Sequence, residues 1–136
     1  MDNLTYNKKI LNDILNFDYL PEKINTILRS GKLIHYYVFS RTVNTIPKTE
    51  ICLLDTSGFK KIYTINDCGN AIQIKEISVN AFQTKAERNS EIYHLYHKEG
   101  LSQIFLAKLF NISQPTISLI VNNKTYRPHP SKLTYN

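Results

Sequence analysis

LSQIFLAKLFNISQPTISLIVNNKTY, residues 101–126, decides how the C-terminal part of the chain folds. Its apolar residues recur at helical spacing, but Pro115 lies where a continuous helix would lose a hydrogen bond and clash with its own backbone. If Ser113 is the N-cap of a new helix, the conflict disappears, because a proline in the first turn interrupts no intrahelical bond. The stretch therefore predicts two short helices: one from Ser102 to a left-handed Asn111, and a second of about nine residues.

A further helix is predicted just before this pair. Residues 86–99, AERNSEIYHLYHKE, place Ile92, Leu95 and Tyr96 on one face and end at Gly100, and Asn89 or Ser90 is the expected N-cap. In the pair itself, small Ala107 permits close approach of the helices. The first helix of the pair also carries Ile104, Leu106, Leu109 and Phe110. We expect Ile112 in the turn to pack beneath the two helices, and Ile117 and Ile120 to face the same core, which leaves the polar face of the last helix free.

Three helices with a short turn between the last two are typical of the helix-turn-helix arrangement. Residues 102–123 resemble the lambda-repressor type and related phage DNA-binding proteins, with the pattern Q-x-x-L-A-x-x-F-x-[VI]-S-x-x-T-[VI]-S. The resemblance covers about residues 88–126. It departs from the family at Asn111, where glycine is usual, and at Pro115, where many members carry a polar residue that contacts a base.

The resemblance implies a role in DNA binding for each matched position. Gln103 would donate to a backbone phosphate at the start of its helix. Gln114 is the best candidate for a bidentate contact to adenine, and Pro115 offers only apolar contact. The other predicted DNA-binding residues are Thr116, Ser118 and Leu119 in the last helix and Asn122, Asn123, Lys124, Tyr126 and Arg127 after it. The segment NNKTY also resembles the end of helix-turn-helix segments attached to phage homing endonucleases.

The N-terminal part of the chain has a different pattern. Residues 3–17 and 21–31 predict two amphipathic helices, the first capped by Asn3 or Thr5 and the second opened by Pro21. Short segments rich in β-branched and aromatic residues follow, with hairpin turns at 56–58 and 67–70, a fourth strand at 32–41 and a bulge or early strand end at Glu76. The fold class is therefore α+β: two helices and a small antiparallel sheet in residues 1–83, an all-α helix-turn-helix domain in 84–126, and a basic tail in 127–136.

Composition and charge narrow the classes of function. The net charge is +6, and no carboxylate side chain follows Gly100, which suits a polyanionic partner, although a mildly basic protein without such a partner has similar numbers. No apolar run approaches the roughly 20 residues of a membrane span, and the first residues lack the order of a signal peptide. We therefore expect a cytoplasmic protein with no membrane partner, in which Cys52 and Cys68 are buried thiols.

No pattern of catalytic residues is found, so we expect no enzyme and no cofactor. His94 and His97 have a spacing that would suit a metal, but no third ligand accompanies them, and we expect no metal site. The tyrosines suit base stacking in a single-stranded binder, but a sheet core or dimer interface is the commoner use. Two alternatives to DNA binding also remain for the helical pair: the helices pack together for structural reasons alone, or they contact another protein.

The expected function is sequence-specific binding of double-stranded DNA by a transcriptional regulator, such as a repressor encoded by a phage or mobile element. A dimer on a two-fold site is expected, because one unit makes few base contacts. The main alternative is an interaction protein of the anti-CRISPR type, with an N-terminal domain that inhibits a host protein and a helix-turn-helix that regulates its own promoter. A truncated relative of homing endonucleases is a third possibility.

Overall fold

A computed structural model describes residues 2–15, 21–39, 46–69 and 71–123, with side chains omitted for 12–15. The described chain is mixed α/β, with five helices and one four-stranded antiparallel sheet. In chain order the elements are α1 (Asn3–Leu15), α2 (Glu22–Arg29), β1 (Lys32–Val38), β2 (Thr49–Leu54), β3 (Lys60–Asp67), β4 (Ile72–Ile77), α3 (Lys85–His97), α4 (Gln103–Phe110) and α5 (Gln114–Val121).

Contacts divide the chain into two compact units, Met1–Ser78 and Val79–Asn136. The sequence places the boundary at 83/84 instead. Residues just before α3 belong to the second unit because they pack on its helices: Glu91 accepts hydrogen bonds from the backbone and side-chain amides of Asn80, and the rings of Phe82 and Phe110 lie 5.9 Å apart.

The sheet has the order β1-β2-β3-β4, so that each strand pairs with the next in the chain. Gly58 and Gly69, with φ of 86° and 89°, supply the left-handed backbone of the two predicted hairpins. A bulge at Glu76 is wrong, because β3 and β4 pair without interruption from Ile62↔Ile77 to Asp67↔Ile72; the alternative, an early strand end, holds to within one residue, since β4 ends at Ile77. The register shifts in β1 instead, between Leu33 and His35.

The first unit is built around one buried cluster between the helices and one face of the sheet. Its apolar members are Leu11, Ile24, Leu28, Leu33, Ile46, Ile51, Leu53 and Ile65. Gly31 joins α2 to β1 where no larger residue fits, because a Cβ atom there would lie 2.8 Å from the Leu54 carbonyl oxygen. Close packing of backbone on backbone therefore sets the position of this junction.

Asn7 ties α1 to the same junction with a complete set of hydrogen bonds. Its side-chain amide donates to the carbonyl oxygens of Leu28 and Gly31, each at 2.8 Å, and its oxygen accepts from the Leu33 amide at 2.9 Å. The side chain is fully buried. A buried polar group with all its bonds made fixes one arrangement of helices and strand, since any other would leave bonds unmade.

Two other expectations for this unit need correction. Asp2, rather than Asn3 or Thr5, caps α1, because its carboxylate accepts from the Thr5 amide at 2.7 Å, and this bond lowers the pKa of Asp2. Cys52 is buried as expected, but Cys68 is exposed, since it lies in the β3–β4 hairpin turn. The predicted extension of α1 to residue 17 lies outside the described residues.

In the second unit α3 begins earlier than the sequence indicates. Thr84 is the N-cap, with its hydroxyl accepting from the Glu87 amide and bonding the Glu87 carboxylate, both at 3.1 Å. Asn89, one of the predicted caps, is instead a buried residue of the helix interior. Among the described residues no single helix is long and apolar enough to cross a membrane; α4 and α5 meet that test only as a pair bent by 112°.

Candidate nucleic-acid interface

The α4–α5 pair is shaped by three caps, all at the predicted residues. Ser102 opens α4 by accepting from the Phe105 amide at 3.1 Å. Asn111 ends α4 in the left-handed conformation, φ 56° and ψ 47°, and the amides of Asn111 and Ile112 both donate to the Ala107 carbonyl oxygen. The left-handed residue turns the chain so sharply that the two helices differ in direction by 112°.

Ser113 opens α5 and explains the proline that follows. Its hydroxyl accepts from the Thr116 amide at 3.3 Å, and Pro115 lies in the first turn, where an amide has no partner within the helix. Pro115 therefore costs α5 no hydrogen bond. The connection between α4 and α5 is three residues long, 111–113.

The inward faces of the three helices form one apolar core. Its buried members are Ile92, Leu95, Leu101, Phe105, Leu106, Ile117, Ile120 and Val121. Phe105 is fully buried and was not among the residues predicted to face inward; Ile104, Ala107, Leu109, Phe110 and Ile112 are only partly buried. Helix α5 packs on both α3 and α4, so two helices fix its orientation.

His97, near the end of α3, holds the end of α5 by a hydrogen bond. Its Nε2 donates to the Val121 carbonyl oxygen at 2.8 Å, and its ring packs against Tyr93 with centroids 4.2 Å apart. Carbonyls of the last helical turn have no partner within the helix, so this bond satisfies one of them and joins α5 to α3. His94 lies away from it, 3.9 Å from the Glu99 carboxylate.

The outward face of α5 carries five of the eleven residues predicted to bind DNA. At 100° per residue, Gln114, Ser118 and Asn122 follow one line along the helix, and Pro115 and Leu119 follow the adjacent line. Ser118 is partly buried and the other four are exposed, Leu119 to 74%. Together these five side chains form the outward face of α5.

Two predicted contact residues are already engaged within the helix. The Thr116 hydroxyl lies 2.7 Å from that of Ser113, at the rim between the outward face and the core. The Asn122 amide donates to the carbonyl oxygen of Ser118 at 2.8 Å and lies 3.4 Å from its hydroxyl. Asn122 therefore caps the end of α5.

The remaining predicted residues surround this face or lie beyond the described chain. Gln103 is partly buried at the first position of α4, where backbone amides without helical partners favour an anion. Asn123 is exposed, and its amide donates to the Ile120 carbonyl oxygen at 3.1 Å. Lys124, Tyr126 and Arg127 lie outside the described residues.

The charged side chains that follow Gly100 in the sequence are all basic. From Gly100 onward the sequence has lysine and arginine but no aspartate or glutamate. Helix α5 itself, QPTISLIV, has no charged residue, so its outward face presents amide, hydroxyl and apolar groups only. Among the described residues no group of three or more His, Cys, Asp or Glu side chains is arranged to hold a metal.

Sequence reasoning missed three residues that hold the interface in place: Thr84, Glu91 and His97. Thr84 and Glu87 have the spacing of a capping box, a local signal that was available. The partners of Glu91 and His97 lie 11 and 24 residues away, and no local pattern marks such bonds. Compared with known proteins, the chain matches no family model, no curated protein and no solved structure.

Proposed function

We propose that α3, α4 and α5 form a helix-turn-helix domain that binds double-stranded DNA with α5 in the major groove. The observation that carries this proposal is the pairing of α4 and α5: a three-residue turn and a 112° bend lie within the range of helix-turn-helix units. The bend leaves one face of α5 outside the core, and that face consists of side chains that suit base edges.

Each part of the pair has a role in this proposal. Gln114, exposed in the first turn of α5, donates and accepts through one amide and so matches the N6 and N7 atoms of adenine. Gln103 and the amides that open α4 contact a phosphate. Asn123, Lys124, Tyr126 and Arg127 add phosphate contacts after α5, and the lack of carboxylates beyond Gly100 removes repulsion from the DNA backbone.

The proposal extends to the whole protein as a cytoplasmic transcriptional regulator, with the α+β unit in residues 1–78 followed by the DNA-binding unit. A single α5 reaches only a few base pairs, so a homodimer on two half-sites about one helical turn apart gives useful specificity. The first unit, with its own buried core, is then the source of dimerisation or of a partner surface.

The test is selection of DNA from a random library by the full-length protein, followed by affinity measurements on the selected site. Gln114→Ala is expected to weaken binding by about 1 to 3 kcal/mol and to relax the preference at one base position. Gln73→Ala, which removes an exposed glutamine from β4, serves as the control and is expected to bind as the wild type does.

Two results would contradict the proposal. If the library yields no preferred sequence, the protein does not bind DNA sequence-specifically. If it yields one and Gln114→Ala binds it with unchanged affinity and base preference, α5 is not the helix that reads the bases.

A further inference from the structure

Leu119 is the most exposed of the large apolar side chains in the described part of the chain, at 74%. It lies one helical turn after Pro115, which is also exposed, so the two form an apolar strip beside the polar line of Gln114 and Ser118. The core does not need either residue, because Ile117, Ile120 and Val121 already fill the inward side of α5.

The chemistry of the outward face limits which bases it recognises. The commonest specific contact to guanine is bidentate donation from arginine or lysine, and cytosine is recognised by an acceptor such as glutamate or aspartate. None of the five residues of the outward face carries a charge. What the face does offer is the Gln114 amide, which matches adenine, the Asn122 amide, which already bonds Ser118, a hydroxyl without strong preference, and two apolar side chains.

In the major groove the bases present only one apolar group, the C5 methyl of thymine. We propose that Leu119, with Pro115, contacts thymine methyl groups, and that α5 therefore reads A·T base pairs; this inference rests on the proposed function. Gln114 contacts an adenine, and Leu119, five residues further along α5, contacts a thymine methyl group. The exposed Leu119 side chain then has an apolar group of the DNA as its partner, and the base pairs contacted by α5 are A·T pairs.

The experiment removes the methyl group rather than the protein side chain. In the selected duplex each thymine is replaced in turn by deoxyuridine, which lacks only the C5 methyl, and the affinity of the full-length protein is measured. One or two positions in each half-site are expected to lose about fourfold in affinity, the worth of one methyl group taken out of water. Because these substitutions are made in the DNA, the result does not depend on whether a protein variant folds.

Leu119→Ala then tests whether the Leu119 side chain contacts a thymine methyl group. At one or more of the sensitive positions, this variant is expected to bind thymine and deoxyuridine duplexes within twofold of each other, whereas a position contacted by Pro115 keeps its difference. Phe59→Ala, which removes another exposed apolar side chain, from the β2–β3 turn, is the matched control and keeps the fourfold difference.

Each outcome separates the two proposals. If no sequence is selected, DNA reading itself fails. If a sequence is selected but G·C pairs lie under α5, no deoxyuridine matters, or Leu119→Ala keeps the methyl effect at every sensitive position, the protein binds DNA and the thymine contact of Leu119 is wrong. If Leu119→Ala instead halves the molecular mass in solution without DNA, the strip meets a second copy of the chain and the thymine contact is again wrong.

Discussion

Asn111 is the one non-glycine residue with positive φ in the described part of the chain, and the direction of α5 depends on it. Side chains generally cost about 1 to 2 kcal/mol in the left-handed region, and asparagine is the mildest of them. Asn111→Ala is therefore expected to lower the free energy of unfolding by about 1 kcal/mol, and Asn111→Gly to change it by less than about 0.5 kcal/mol.

Denaturant unfolding followed by circular dichroism measures both variants. Equal losses for alanine and glycine would contradict the expectation, because they would show that the asparagine side chain, and not the backbone conformation, matters at this position.

The two cysteines differ in burial and should differ in reactivity. Burial in the sheet raises the pKa of the Cys52 thiol to about 11, so at pH 8 it is almost wholly protonated and shielded, whereas Cys68 is exposed. We expect one thiol per chain to react rapidly with a disulfide reagent at pH 8 and both to react in denaturant. Mass spectrometry of the modified peptides identifies which has reacted; rapid modification of Cys52 in the native protein would contradict its burial.

Local signals account for the elements that the sequence predicts well. The hairpins follow from Gly58 and Gly69, and the boundaries of α4 and α5 from Ser102, Asn111 and Ser113, since each of these residues acts on its own neighbours. The start of α3 is harder to predict because its first turn, Lys85 to Arg88, shows no apolar periodicity, so that only the capping-box spacing of Thr84 and Glu87 marks it.

Other features depend on residues far apart in the sequence and leave no local pattern. The Asn7 bonds span 21 to 26 residues, and the register shift in β1 depends on pairing with β2. Helices α4 and α5, at eight residues each, are too short to be stable alone. Their lengths are predictable from caps, but their stability comes from packing that only the folded chain shows.

Asn7 is expected to be among the most sensitive polar positions of the first unit. Asn7→Ala would leave two carbonyls and one amide buried without partners, which should lower the free energy of unfolding by about 2 to 4 kcal/mol. Asn66→Ala, at an exposed position of β3, is the control and should change it by less than about 0.5 kcal/mol.

Asn7→Asp adds a test of the geometry. Its carboxylate would face two carbonyl oxygens in a buried site, so its pKa in the folded state would rise. Stability of this variant should therefore increase as the pH falls through that pKa, relative to the wild type at the same pH. If the difference in the free energy of unfolding between Asn7→Asp and the wild type does not change with pH, the donor role of the Asn7 amide is contradicted.

At the scale of the whole molecule, the charge distribution predicts how the proposed DNA binding responds to salt. Each lysine or arginine that neutralises a phosphate steepens the fall of affinity with salt by close to one unit on a double-logarithmic plot. Lys124→Ala is expected to reduce this slope by about one unit and to weaken selected and random DNA alike. Lys23→Ala, at an exposed position of α2 in the first unit, is the charge-matched control.

Titration of a labelled duplex at several salt concentrations gives both slopes. Equal slopes for Lys124→Ala and Lys23→Ala would show that Lys124 makes no phosphate contact.

The separation of inward and outward residues on α5 has a consequence for protein engineering. Stability depends on Ile117, Ile120 and Val121, while the five outward residues take little part in the core. New side chains at positions 114, 115, 118 and 119 should therefore be accepted by the same scaffold, within the limit that position 115 keeps a residue suited to a first turn. If α5 reads DNA as proposed, variants of this helix form a library from which regulators of new promoters are selected without redesign of the fold.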